Sequence, residues 1–304
     1  MSRLLPVPAG LAGMRVDQGL SKLLGLSRAK VSAIIAAAGV RQDGVVLKKS
    51  DSLREGMLLE IEMPAPEVYA PEITPVPGVR ILYEDSDLVV VDKPEGVAAH
   101  TGPGWSGPTV VGALRAVGIS VSTSGPVERE GIVHRLDAGT SGAMIVAKSE
   151  LAYAKLKNDF RYHRVEKIYL ALAQGEVTPP IGTIDAPIGR DSTKEFKMAV
   201  SSSGKPSITH YDTIEALSGA TLLKVQLETG RTHQIRVHFA AIGHPLVGDT
   251  MYGANPRLAR ELGLTRQWLH AAELAFTHPR TGQQLRIKSD LPAALDAALE
   301  KLRQ

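Results

Sequence analysis

The 304-residue sequence contains no cysteine, and that absence removes disulfide frameworks, thiolate nucleophiles, iron–sulfur clusters and cysteine-based zinc sites together. Long apolar runs are missing too. The best candidate, near Val31 to Val40, is an alanine-rich decapeptide, short of the ~18 residues of a membrane span. The N-terminal MSRLLPVPAG has no apolar signal region or cleavage pattern, which predicts a cytoplasmic protein with no membrane partner. No Walker-type phosphate loop and no H-E-x-x-H motif occurs, and Gly139 to Ala143 only approaches the G-x-S-x-G elbow of serine hydrolases. The nine histidines are scattered, so no metal site is expected. Gly102 to Gly107 matches G-x-G-x-x-G, but the preceding strand pattern ends near Lys93-Pro94, roughly ten residues too early for a dinucleotide-binding turn. No nucleotide cofactor is expected.

What is present is the composition of a folded globular protein, with 43% hydrophobic and 22% charged residues, which excludes a disordered chain or a fibrous repeat. The length suggests two domains, or a large one with a small appendage. Net charge is only +3, but its distribution is uneven. Between Met14 and Arg54 eight Lys/Arg face three acids, a local excess suited to a polyanion-binding module. An ordinary solvated basic surface is the other reading.

Within residues 1–63, Val16, Leu20, Leu23 and Leu24 recur at helical spacing, and Ser27 is placed to cap a second helix carrying Val31, Ile34 and Ile35 and stopping at Gly39. Asp43-Gly44 between Val40–Gln42 and Val45–Leu47 predicts a two-residue hairpin, with a further strand over Leu58 to Met63. Residues 64–78 contain five prolines and read as a linker. Residues 79–304 carry strand patterns at Arg80–Tyr83, Leu88–Asp92, Gly142–Ala147, Lys167–Gln174, Ile208–Leu217, Leu222–Leu227, Glu273–Thr277 and Leu285–Lys288. Helical patterns lie at Pro108–Val117, Leu151–Arg161, Thr232–Ile242, Pro256–Leu262 and Leu291–Leu302. Clustered strands with interspersed helices predict an α+β domain with a mainly antiparallel sheet and flanking helices, preceded by a small α+β domain.

Two polar constellations stand out. GIVHRLDAGTSGAMIVAKS, Gly131 to Ser149, places His134, Arg135 and Asp137 in a glycine-containing turn between apolar segments, a setting that presents side chains to a cleft. Asp137 is then a nucleophile, a base or a metal ligand, or else a turn aspartate capping its own backbone. In LETGRTHQIRVHFAAIGHPLVGD, Leu227 to Asp249, Thr232 is placed to cap a helix whose buried face holds Ile235, Phe239 and Ile242. His233 and Arg236 share another face. A guanidinium near a helix start is disfavoured by the macrodipole, so Arg236 calls for an anion or a carboxylate partner unless it is a plain surface residue.

HRLDAGTSGAMIVAKS, EKIYLALAQG at Glu166 to Gly175, TGRTHQIRVHFAAIGHPLVGDTMYG at Thr229 to Gly253, and LHAAELAFTHPRTG at Leu269 to Gly282 together closely resemble the RluA/RluD-type pseudouridine synthases. The resemblance spans roughly Arg80 to Lys288, while Arg15 to Met63 resembles the alpha-L type RNA-binding domain that accompanies many such enzymes. It implies cofactor-free isomerisation of uridine to pseudouridine in RNA, with large-subunit ribosomal RNA as the substrate class. Asp137 would be the essential carboxylate, Arg236 its ion-pair partner ahead of Arg231, and Tyr169 the active-site tyrosine, although alternation with Ile168, Leu170 and Leu172 also suits a core strand residue. A base in a helix must be flipped out to react. Arg135 resembles the arginine that enters the vacated space, and His134 either joins it on the RNA or braces the loop. Arg28, Lys30, Arg41, Lys48 and Lys49 would contact phosphates. One departure from relatives is Ala138-Gly139, where lysine and an acidic residue are common. A non-catalytic ribosome-assembly factor on the same fold is the competing expectation. One basic domain and one active site need no partner subunit, so a monomer is expected.

Overall fold

The computed structural model describes residues 2–26, 28–63, 73–102, 105–191, 194 and 196–304, leaving aside the side chains of residues 29 and 30. The cap expected at Ser27, most of the proline-rich segment and the centre of the G-x-G-x-x-G match lie outside them. The chain divides into two compact units, Met1–Val68 and Tyr69–Gln304.

The first unit is built from β1 (Ser2–Pro6), α1 (Val16–Leu24), α2 (Arg28–Ala36), β2 (Val40–Gln42), β3 (Val45–Val46) and β4 (Leu58–Glu62). Val16 and Leu20 of α1 pack with Val31 and Ile34 of α2 and with Leu59 and Ile61 of β4, the apolar stripes that the spacing predicts. Asp43 and Gly44 both have positive φ, 49° and 79°, as a type I′ hairpin turn requires. The sheet order is β1-β4-β2-β3. Strand β1 escaped the sequence pattern because SRLLP hardly alternates. It is defined by its pairing with β4, Arg3 opposite Ile61.

The second unit contains β5 (Arg80–Glu84), β6 (Leu88–Lys93), α3 (Val110–Ala116), β7 (Ser141–Ala147), α4 (Glu150–Arg161), β8 (Glu166–Gln174), β9 (Ile181–Asp185), β10 (Ile188–Arg190), β11 (Met198–Val200), β12 (Ile208–Leu217) and β13 (Ala220–Leu227). It continues with α5 (Gln234–Ala241), α6 (Pro256–Leu262), β14 (Leu269–Thr277), β15 (Gln284–Lys288) and α7 (Ala293–Arg303). The main sheet runs β5-β6-β7-β14-β8-β13-β12-β9, with β15 beside β14. Its pairs are antiparallel except β7 with β14, so the fold is α+β. All seven residues of β7 are buried. Met144 and Val146 enter one core, and Ala143, Ile145 and Ala147 the other. Helices on both faces thus explain an unbroken apolar run at the sheet's centre.

Two boundaries correct the sequence reading. Strand β14 starts at Leu269, four residues before the expected Glu273, because His270 is a buried ladder residue whose ring is held by Ser141 Oγ and the Ser289 carbonyl. Helix α5 starts at Gln234 with His233 as its N-cap at φ 58°, and no side chain caps it. Thr232 is exposed and does not cap. Ile242 lies past the helix and is 40% exposed, so of the three apolar residues expected on the buried face only Ile235 and Phe239 are buried, and Val237 is buried as well. The short strands β9, β10 and β11 were not anticipated.

Candidate active site

The loop before β7 and the start of α5, which follows β13, face each other across a cleft of about 410 Å³. His134, Arg135, Asp137, Tyr169, Arg231 and Arg236 all line it. Among the described residues five Arg and Lys side chains line the cleft against one carboxylate, Asp137, a field that favours an anionic ligand.

Arg236 is 6% exposed. Its NH1 donates to Asp137 Oδ2 at 3.2 Å, while Nε and NH2 grip Asp249 Oδ2 and Oδ1 at 2.6 and 2.9 Å. A guanidinium at a helix start is thus stabilised by a bidentate buried carboxylate, with one nitrogen left for Asp137. Desolvation opposes its charge, but the two carboxylates raise its pKa above the ordinary arginine value. Arg231 is committed elsewhere. Its Nε donates to the Pro206 carbonyl, so Arg236 is the partner of Asp137.

The α5 entry is tied down by Gln234, whose Oε1 accepts from Arg231 N–H and Thr229 Oγ1, while Nε2 donates to Ile208 O and Thr209 Oγ1. This network does what a Thr232 cap was expected to do. His233 Nε2 lies 3.9 Å from Asp137 Oδ2, and its Nδ1 lies 2.8 Å from the Tyr252 hydroxyl.

The Asp137 loop is held from beneath by buried cations. Fully buried Lys93, at the end of β6, donates to the carbonyls of Pro94, Val97 and Ala138. Burial pushes its ammonium down to about 7, against the opposing pull of Asp137. Arg266 donates to the Gly139 carbonyl and to Ser141 Oγ, both at 3.0 Å, and pairs with Glu95. Gln267 packs against Gly139, so a Cβ there would press on its amide. The unusual Ala138-Gly139 pair is thus held by Gln267, by Arg266 on the Gly139 carbonyl, and by Lys93 and the Gly96 amide on the Ala138 carbonyl. At Gly142, φ is 119° and a Cβ would overlap the Ala271 carbonyl, so the parallel junction of β7 and β14 demands glycine beside the loop.

His134 lines the cleft and also braces this loop. Its ring stacks on Phe160 at 4.3 Å, and Nε2 accepts the Ile145 amide proton at 2.9 Å. Burial lowers its pKa to about 3, keeping it neutral. Arg135 is exposed at the cleft mouth. Tyr169 on β8 is 7% exposed. Burial, then the Asp137 charge, pushes its hydroxyl above the ordinary tyrosine value, so it enters as a neutral phenol. Lys167, two residues earlier, donates to Glu228 O and Thr229 O, and burial lowers it to about 8.

Sequence reasoning missed Lys93, Asp249, Arg266 and Tyr252. A lysine closing the apolar run LVVVDK was the available signal for Lys93. Asp249 follows Arg236 by thirteen residues, a spacing that no helix or strand period encodes. Of the expected basic residues in the first unit, Arg28, Lys48 and Lys49 are exposed and Arg41 is half-buried. The Lys30 side chain lies outside the described residues. Asp85, Asp87 and His278 bring ligand-type atoms within 4.8 Å of one another, but none of the three lines the cleft, and Arg280 pairs with Asp87 at 2.6 Å. Among the described residues no helix is long and apolar enough to cross a membrane.

A family model described as RNA pseudouridylate synthase matches residues 87–241. A Mycobacterium bovis protein described as an uncharacterized RNA pseudouridine synthase is 56% identical, over 99% of this chain and 98% of its own. The ribosomal large subunit pseudouridine synthase D of Nitrosomonas europaea is 40% identical, over 98% of this chain and 87% of its own. Among solved structures, human RNA pseudouridylate synthase domain containing 1 superposes with a TM-score of 0.59 at 30% identity, covering 78% of this chain and 90% of that one.

Proposed function

The chain belongs to the RNA pseudouridylate synthase family and is an RNA pseudouridine synthase, and from that premise we propose that it modifies large-subunit ribosomal RNA in the cytoplasm with Asp137 as the essential carboxylate. The observation that carries the site assignment is the Arg236–Asp137 pair at 3.2 Å in a cleft whose other charged side chains, among the described residues, are arginines and a lysine. The substrate class rests on relatives named for the large ribosomal subunit.

In the overall isomerisation the N1–C1′ bond breaks, the uracil turns, C5 joins C1′, C5 gives up a proton and N1 takes one. A target uridine must first leave its stack, at a cost of a few kcal/mol. Arg135, exposed at the cleft mouth, fills the vacated space. The Tyr169 ring offers the flipped uracil a stacking face at the cleft floor, and its neutral hydroxyl is a hydrogen-bond partner rather than a phenolate base. Arg236 holds and aims the Asp137 carboxylate through their 3.2 Å hydrogen bond, as attack at carbon or proton relay requires. The first unit acts as an alpha-L type RNA-binding domain, with Arg28, Lys30, Arg41, Lys48 and Lys49 making phosphate contacts that position the RNA without reading its sequence. One basic unit and one cleft per chain suffice, so a monomer is the working state.

The test is tritium release from transcripts carrying 5-tritiated uridine. Release from large-subunit ribosomal RNA and not from transfer RNA is expected. Release from transfer RNA alone would reassign the substrate.

A further inference from the structure

His233 is a second neighbour of Asp137, its Nε2 3.9 Å from Oδ2, and the partners around its ring select one tautomer. The Tyr252 hydroxyl accepts the Met198 amide proton at 3.1 Å and lies 2.8 Å from His233 Nδ1. A phenol has one proton to give. No other acceptor for that proton is seen among the described residues, so it is best used on Nδ1 as the bare nitrogen. The ring proton therefore sits on Nε2, the atom 3.9 Å from Asp137 Oδ2. The opposite tautomer would aim a lone pair at a carboxylate and leave the tyrosine proton unused. Tyr252 is itself fixed, 7% exposed, with the Arg236 guanidinium 4.9 Å and the Lys197 ammonium 5.1 Å from its ring centre. The αL backbone at His233, φ 58°, is uncommon for a side chain of this size and delivers the ring to the loop.

We propose that His233, locked as the Nε2–H tautomer by the Tyr252 hydroxyl, is a positioning residue that donates to Asp137 Oδ2 and holds the carboxylate for reaction. The inference rests on the reading of Asp137 as the essential carboxylate. The groups facing the ring are Asp137 and Arg135 from the loop before β7, Arg236 on its own helix, and Asp249 beyond that helix. Burial is the largest influence and lowers its pKa, so the ring is neutral at neutral pH and acts by its N–H dipole rather than as a second cation. The 3.9 Å separation is long for a hydrogen bond, as catalytic contacts often are before substrate closes the site.

Three variants separate this role from mere packing. His233→Asn keeps a residue type that tolerates αL but is too short to reach Asp137. His233→Gln restores an amide donor near the position of Nε2. Tyr252→Phe frees the tautomer. With ribosomal RNA and tritium release as the readout, kcat should fall about tenfold or more in His233→Asn, the factor expected for a lost hydrogen bond to a charged group. KM should stay within about twofold, because the residue acts through Asp137 rather than on the RNA. His233→Gln should recover most of the loss, and Tyr252→Phe should lie between. Wild-type kcat in His233→Asn, or equal loss in the asparagine and glutamine variants, overturns the proposal. If His233→Asn does not fold, unchanged kcat in Tyr252→Phe overturns it instead. Asp137→Asn is run alongside. Activity there would overturn the assignment of Asp137, whereas an inactive Asp137→Asn with a fully active His233→Asn would overturn this inference alone.

Discussion

Replacing Asp249 by alanine isolates the energetics of the site. Asp249 is 2% exposed and holds Arg236 through two bonds, so the variant leaves a buried guanidinium with Asp137 as its remaining carboxylate. Breaking a buried pair from one side costs about 3–5 kcal/mol. Because Asp137 still neutralises part of the charge at 3.2 Å, the lower end, about 3 kcal/mol, is expected. In a domain of this size a loss of about 3 kcal/mol lowers Tm by about 6–12 °C. Removing both charges in Arg236→Met/Asp249→Leu leaves no unpaired ion at the two buried positions, and the partly exposed Asp137 can be solvated, so at least half of that stability should return, while activity stays lost because Asp137 has lost its arginine. Thermal denaturation of the wild type, Asp249→Ala, Arg236→Met and the double variant followed by circular dichroism, with tritium release at 25 °C, measures both quantities. A double variant less stable than either single one would refute the argument that the penalty is an unpaired buried charge. Activity in the double variant would refute the role of Arg236.

Lys93 makes a second prediction. Its pKa of about 7 in the fold lies below the ordinary 10.5, so between those values only the unfolded chain holds the extra proton, and stability rises with pH. Lys93→Met should abolish that rise, measured as denaturation midpoints at pH 7 and 9. An unchanged pH slope contradicts the assignment. Gly142→Ala must force a Cβ into the Ala271 carbonyl at positive φ, so a loss of more than about 4 kcal/mol is expected; a fully stable variant would show that the β7–β14 junction yields. The triple variant Arg41→Ala, Lys48→Ala, Lys49→Ala should weaken RNA binding and reduce the salt slope of log affinity by about 2–3, leaving kcat intact at saturating RNA. An unchanged slope would remove these residues from the interface.

Elements whose signals are local were legible. Helix α6 matches its expected limits because Asn255 caps it, Pro256 opens it and Gly263 ends it in αL. Helix α4 begins one residue before its apolar stripe, where Ser149 caps it. Elements defined by distant partners were not. Strand β1 exists through β4, and β10 and β11 exist through each other. In the cleft, Asp137, Tyr169 and Arg236 were named by resemblance, and Arg236 was also singled out by its unfavourable place at a helix start. Asp249, which explains that placement, lies beyond the helix in a turn that sequence spacing cannot place. Lys93 escaped because a lysine at a strand end reads as solvated, and only the fold shows that it is fully buried beneath the Asp137 loop.

The most direct test of the account is the chemistry of one carboxylate. Asp137→Asn keeps shape and polarity but removes the charge that Arg236 faces at 3.2 Å. Tritium release from ribosomal RNA should fall below detection, while Tm stays within a few degrees of wild type and RNA binding persists. Release at a wild-type rate from Asp137→Asn would contradict the account.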